Sequence, residues 1–230
     1  MKTIGLLGGM SWESTALYYR ILNEEVKGAL GGLHSARVVL YSVDFAEIEK
    51  LQSTGRWDEA GAQLAQAAQA LARAGADFLV LATNTMHKVA PQIQQAVDIP
   101  LLHIADATGE RIRDSGLKKI GLLATRFTME EAFYRGRLAD GYGLEVVTPD
   151  RADRELVHQV IYQELCQGVV NAESRLKFRN VMAKLTAQGA EGIILGCTEI
   201  TMLVNAEDAS VPLFDTTLIH AQSAIRYALM

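Results

Sequence analysis

"GADFLVLATNTMH" (residues 75–87) decides how this chain is read, because "GAEGIILGCTEIT" (residues 189–201) says the same thing again near the other end. Each opens on a Gly-Ala-acid turn, continues as a short apolar run and stops at small and polar residues, the pattern of a buried strand that ends where a ligand can approach. The two copies differ where chemistry is at stake: Thr83 stands in the first and Cys197 in the second. A second pair, "KTIGLLGGMSWES" (2–14) and "KKIGLLATRFTMEE" (118–131), occurs in the same order at a similar separation. Two echoes displaced by about half the chain predict two copies of one α/β unit.

Between these markers, strand-like runs at 3–7, 37–43, 77–82, 118–123, 144–147 and 191–195 alternate with helical stretches. The clearest helix is expected over 58–74, rich in alanine and leucine, with acidic residues in its first turn and Gly75 just beyond its end. Another is expected over 153–167, with Leu156, Val160, Ile161 and Leu165 at helical spacing. Strand and helix in alternation imply an α/β fold with parallel sheets covered on both faces. The expected organisation is two pseudo-symmetric α/β domains with the active site in the cleft between them. Residues 1–99 with 212–230 form one domain and 100–211 the other, with crossings near Ile99-Pro100 and Val211-Pro212. The closing stretch reads as a short strand and a helix capped by Asp215 or a following threonine, packing back on the first domain.

With 230 residues, 49% hydrophobic and 21% charged, the chain can bury a sizeable core. A net charge of −5 without a lysine or arginine run argues against a general nucleic-acid or membrane-surface binder. No segment approaches the roughly 18 uninterrupted apolar residues of a membrane span. The N-terminal apolar run is short and meets Trp12-Glu13 without a small-residue cleavage site, so it is read as a strand rather than a signal peptide. Two cysteines, Cys166 and Cys197, supply neither a disulfide framework nor CxxC metal spacing, and a cytoplasmic location is expected.

Ligands of parallel α/β sheets collect beyond the carboxyl ends of the strands, where helix N-termini present N–H groups. The segments there are Gly8-Gly9-Met10-Ser11, Thr83-Asn84-Thr85, Thr125-Arg126-Phe127-Thr128 and Cys197-Thr198-Glu199. Gly8-Gly9 matches neither GxGxxG nor GxxxxGK[ST], which removes the nucleotide readings and leaves a sharp strand-to-helix turn as the plain alternative. Cys197, between a strand and an expected helix N-terminus, reads either as a thiolate stabilised by that terminus or as a small buried residue. Cys166 reads as core inside a helix. His87 is either a helper or a packing residue, His220 structural. Glu164 and Glu199 either tune Cys197, bind an ammonium group or are solvated, and Arg126 either meets a carboxylate or faces solvent.

"GLLGGMSWEST", "LQSTGRW", "ATNTMH", "GLLAT..T", "GCTEI" and "PLFDTT.IHA", in this order over nearly the whole chain, resemble the aspartate/glutamate racemase family of cofactor-independent amino-acid racemases. The resemblance implies one cysteine per half on opposite faces of a bound amino acid, one removing the α-proton and the other supplying a proton. It needs no pyridoxal phosphate, other cofactor or metal. Cys197 falls on the second of these cysteines and Thr83 on the first, where this sequence departs from the pattern. A threonine hydroxyl is a far weaker acid than a thiol, so Thr83 is suited to donating a proton or holding a water rather than acting as a base. The expectation is therefore a racemase of L-aspartate, L-glutamate or similar amino acids that favours L-substrates, with Cys197 and Thr83 catalytic. By the same resemblance Met10, Gln52, Asn84, Thr85, Thr125, Thr128 and Thr198 are substrate-binding candidates. The partner implied is a small amino acid, with a homodimer as the assembly. Two rival readings remain at this stage: a single-cysteine decarboxylase of the same superfamily, and an amino-acid-binding protein that has lost catalysis.

Overall fold

The computed structural model describes residues 1–230, which divide into two units, Met1–Ile104 with His220–Met230 and Ala105–Ile219. The first carries β1 (Ile4–Gly8), α1 (Trp12–Leu30), β2 (Val38–Ser42), α2 (Phe45–Ser53), α3 (Trp57–Arg73), β3 (Phe78–Leu81), α4 (Ala90–Gln95) and β4 (Leu101–Leu102). Its sheet is parallel throughout, in the order β2-β1-β3-β4. The next stretch begins with α5 (Ile104–Asp114) and continues through β5 (Lys119–Ala124), α6 (Arg126–Glu130), α7 (Ala132–Tyr142), β6 (Glu145–Val147) and α8 (Arg151–Gln163). It closes with α9 (Ala172–Ala187), β7 (Gly192–Gly196), α10 (Ile200–Leu203), β8 (Leu213–Asp215) and α11 (Thr216–Leu229). The second sheet, β6-β5-β7-β8, is also parallel and has the strand order of the first. The repeated sequence is thus a repeated topology.

The central strands are buried along their length except at Lys119, the first residue of β5, and their side chains feed a core on each side of the sheet. In the first unit Leu7, Leu79 and Leu81 pack with Leu64, Ala67 and Leu71 of α3. Ile4, Leu6 and Phe78 pack with Tyr18, Leu22 and Val26 of α1 and with Ala221, Ala224 and Ile225 of α11. In the second unit Ile120, Leu122, Ile193 and Ile194 are completely buried. No helix is long and apolar enough to cross a membrane.

Three expectations change. The crossings between units lie after Ile104 and Ile219 rather than at Pro100 and Pro212. The reason is strand pairing: Leu101–Leu102 adds to β3 as the last strand of the first sheet, and Leu213–Asp215 adds to β7 in the second. The expected return to the first unit therefore waits until His220, inside α11. Finally, α8 stops at Gln163, and Cys166 sits half-buried in a short 3-10 turn instead of on the apolar side of a continuous helix.

The turn after β1 shows how the sequence positions a strand end. Ser11 caps α1, its side chain accepting from the Ser14 amide at 3.4 Å. Thr15 from the next turn donates to the Ser11 carbonyl at 2.7 Å and accepts from the Gly9 amide at 2.8 Å. The turn amide is thus taken by the protein itself, consistent with a structural Gly-Gly rather than a phosphate cradle. Gly9 holds φ at +90°, and a Cβ there would run into the backbone of Val43. Gly9→Ala should therefore cost about 1–3 kcal/mol for the conformation alone, with the collision added. A melting midpoint within a degree of the wild type would contradict this account of the turn.

Candidate active site

Cys197 follows the last residue of β7, where the chain leaves the sheet, and is 8% exposed. Its Sγ–H donates to Glu199 Oε2 at 2.9 Å, and the Thr198 hydroxyl donates to the same oxygen at 2.7 Å. Glu199 is itself 3% exposed, so a carboxylate is held inside the protein against the only buried cysteine. Burial pushes the Cys197 thiol well above its ordinary range; the charge of Glu199, the nearby Cys166 and the hydrogen bond to Glu199 push in the same direction. Little stabilisation of a thiolate comes from a helix N-terminus here. The helix beyond Cys197 is the four-residue α10, which has little dipole to offer, and the carboxylate lies nearer.

The corresponding end of β3 is built differently. Thr83 is 7% exposed, and its carbonyl accepts a hydrogen bond from His87 Nδ1 at 2.7 Å. The other ring nitrogen, Nε2, accepts from the Ile104 amide at 3.2 Å, which sets the proton on Nδ1. With both nitrogens engaged and the ring 2% exposed, His87 is a strut that ties Thr83 to the start of α5. His220 is used similarly: Nε2 donates to the Leu102 carbonyl at 2.9 Å and Nδ1 accepts from Tyr18 Oη at 3.0 Å. It is the structural histidine the sequence suggests.

Among the expected substrate ligands, Asn84 and Thr85 are buried beside Thr83, at the start of the 3-10 turn Thr85–Val89. Met10 is 4% exposed and belongs to the apolar cluster between the first sheet and α3. Gln52, 3% exposed, donates to Met86 Sδ at 2.8 Å. In the second unit Thr125 and Thr128 are buried with their hydroxyl oxygens 3.3 Å apart. Thr198 is buried, but its hydroxyl proton is committed to Glu199, so it is no longer free to donate to a carboxylate. Arg126 is exposed and lies over the ring of Phe127, and its amide donates to His158 Nδ1 at 3.3 Å. Glu164 accepts from Ser174 Oγ at 2.9 Å, away from any bond to Cys197.

Sequence reasoning weighed Glu199 as one of two carboxylates and did not single it out. The available signal was its place two residues after the cysteine at a strand end, close enough for the side chain to turn back. His, Cys, Asp and Glu side chains nowhere gather in threes with the spacing of a metal-ligand set.

The chain matches the family model for Asp/Glu/hydantoin racemase over residues 7–224. It is 26% identical to the broad-specificity amino-acid racemase RacX of Bacillus subtilis (strain 168), covering 96% of each chain. It is also similar to a crystal structure of a candidate Asp/Glu racemase from Yersinia pestis, at 60% identity over 100% of both chains with a TM-score of 0.93. A structure of an aspartate racemase homologue from Pyrococcus horikoshii OT3 matches at 35% identity, again over 100% of both chains, with a TM-score of 0.83. The duplicated strand–helix units, the Cys-Thr-Glu turn after β7 and a match spanning nearly the whole sequence agree: the chain belongs to the Asp/Glu/hydantoin racemase family.

Proposed function

We propose that the protein racemises L-aspartate, L-glutamate or similar amino acids without a cofactor, Cys197 removing the α-proton and Thr83 standing on the opposite face of the α-carbon. The observation that carries this reading is the hydrogen bond from the Cys197 thiol to the buried carboxylate of Glu199. The substrate class is supported by the family and by the racemase relatives.

An α-proton of an amino acid is very weakly acidic, so its removal needs a strong base and a stabilised product. Burial raises the Cys197 thiol, which makes the thiolate scarce but each thiolate a stronger base. Glu199, already accepting the S–H, is placed to take the thiol proton over 2.9 Å as substrate binds. The thiolate then takes the α-proton, and the electron pair moves into the carboxylate as an enediolate. Hydroxyl and amide donors at the strand ends stabilise that charge as it grows. Reprotonation from the other face by the Thr83 hydroxyl, or by a water it holds, gives the D-amino acid. Thr83 or that water regains a proton from solvent, and the Cys197–Glu199 pair releases one.

The two faces are unequal in this mechanism. Thr83 can donate a proton to a carbanion but is too weak an acid to supply an alkoxide base near neutral pH. Because the enantiomers are equal in free energy, kcat/KM must match in the two directions, and the inequality is read in kcat: kcat from L-substrates should exceed that from D-substrates by about tenfold, with KM higher in proportion. Incubation in deuterated water, followed by NMR for α-proton loss and by chiral chromatography, reads both directions. Cys197→Ser should abolish exchange and inversion. Equal kcat values from the two enantiomers at saturation would remove the asymmetric assignment, and exchange surviving in the serine variant would remove Cys197 as the base.

Glu199→Gln separates the two effects of the carboxylate. Because the folded thiol titrates above its ordinary range, alkylation of Cys197 should be slow at neutral pH and accelerate only as pH rises beyond about 8.5, the reference thiol value. The glutamine removes a negative charge and an anionic acceptor, so the alkylation profile should move to lower pH. Burial remains in the variant and keeps the profile above that of an exposed thiol. Racemisation should nevertheless fall by about a hundredfold, because the proton acceptor is lost. Mass spectrometry of the Cys197 peptide after iodoacetamide treatment across pH gives the profile; an unchanged or upward-shifted one would refute the role of Glu199.

A further inference from the structure

Four threonines follow the carboxyl ends of β7 and β8, and three have donors already spent. Thr198 Oγ1 donates to Glu199 Oε2 at 2.7 Å, Thr201 Oγ1 to the Thr198 carbonyl at 3.2 Å and Thr216 Oγ1 to the Leu195 carbonyl at 2.8 Å. The fourth, Thr217, is completely buried, and its Oγ1 has no partner. It stands in the first turn of α11, a 14-residue helix, but it does not cap that helix. Asp215 does so: its Oδ1 accepts from the amides of Thr217 and Leu218 at 2.8 and 3.1 Å.

Position and cost both point to a ligand. β7 and β8 leave their sheet at the same level, with Leu195 paired to Asp215, and two residues beyond these partners come Cys197 and Thr217. A hydroxyl enclosed without a partner is destabilising, whereas valine has the same shape and no polar group to satisfy. A threonine here therefore weakens the unliganded protein unless something else accepts its proton. The site reading also leaves a gap, because Thr198, the expected carboxylate donor at this end, is committed to Glu199.

We propose that Thr217 is a substrate-binding residue whose hydroxyl donates to a carboxylate oxygen of the bound amino acid. This rests on the racemase reading above. Such a bond is made to the ground state and the transition state alike, so its loss raises KM and leaves kcat much less affected.

The test compares Thr217→Val and Thr217→Ser with the wild type, using steady-state kinetics with L-aspartate and L-glutamate and melting curves with and without saturating L-aspartate. Without ligand, Thr217→Val should melt at or above the wild type. Its KM should rise by about tenfold or more, the loss typical of a hydrogen bond to a charged group, and the melting shift given by L-aspartate should shrink. Thr217→Ser, which keeps the hydroxyl, should stay close to wild type in both. A valine variant with unchanged KM, or one that melts lower without ligand, would overturn the assignment while leaving the racemase reading intact. A wild type that neither turns over nor is stabilised by either amino acid would overturn both.

Discussion

A thiol and a carboxylate share a buried turn, and everything the candidate site can do depends on that pair. Each group is costly to bury as a charge, and a hydrogen bond of 2.9 Å joins them. The hydrogen bond repays part of the cost of burying Glu199 and gives the thiol proton somewhere to go. An exposed cysteine would ionise more readily and be a weaker base. The enclosed one trades thiolate population for basicity, a trade suited to a carbon acid as reluctant as an amino-acid α-carbon.

The sheet exists to hold such turns still. Parallel strands buried on both faces cannot slide without moving large apolar contacts out of register, so the residue after each strand inherits a fixed position. The first unit anchors its turns with side-chain struts as well. Thr15 ties the Gly9 turn to α1, and His87 ties the Thr83 carbonyl to α5. In the second unit Thr216 ties the start of α11 to β7. These short polar links account for the burial of Thr15, His87 and Thr216 near the strand ends.

Much of this was legible in the chain itself, and the omissions have physical causes. Long apolar runs marked six of the strands, and their echo marked the duplication. β4, two residues long, is too short for periodicity, and β8 was foreseen as a short strand but assigned to the first unit, so both crossings were placed early, at the prolines before these strands. The Thr-to-Cys exchange was visible, but the electrostatic sense of Cys197 was not. That sense depends on a helix stopping after four residues and on one side chain folding back, neither of which follows from propensity. Thr217 was hidden for a related reason: in an Asp-Thr-Thr turn any of the three can cap the helix, and only the structure shows that Asp215 does.

The two copies of the strand-end turn consequently differ in what they hold. After β7 a thiol is hydrogen-bonded to a carboxylate, and on the proposed mechanism that end supplies the base. After β3 the equivalent residue bears a hydroxyl, and the nearby histidine has both ring nitrogens tied to backbone groups, so no side chain of comparable basicity is held in reserve. Restoring symmetry would need more than a thiol at residue 83. A cysteine there would lack a buried carboxylate two residues on, since residue 85 is Thr85, and its proton would have to leave by another route. Unequal ends are thus written into the second residue after each strand-end position as well as into the position itself.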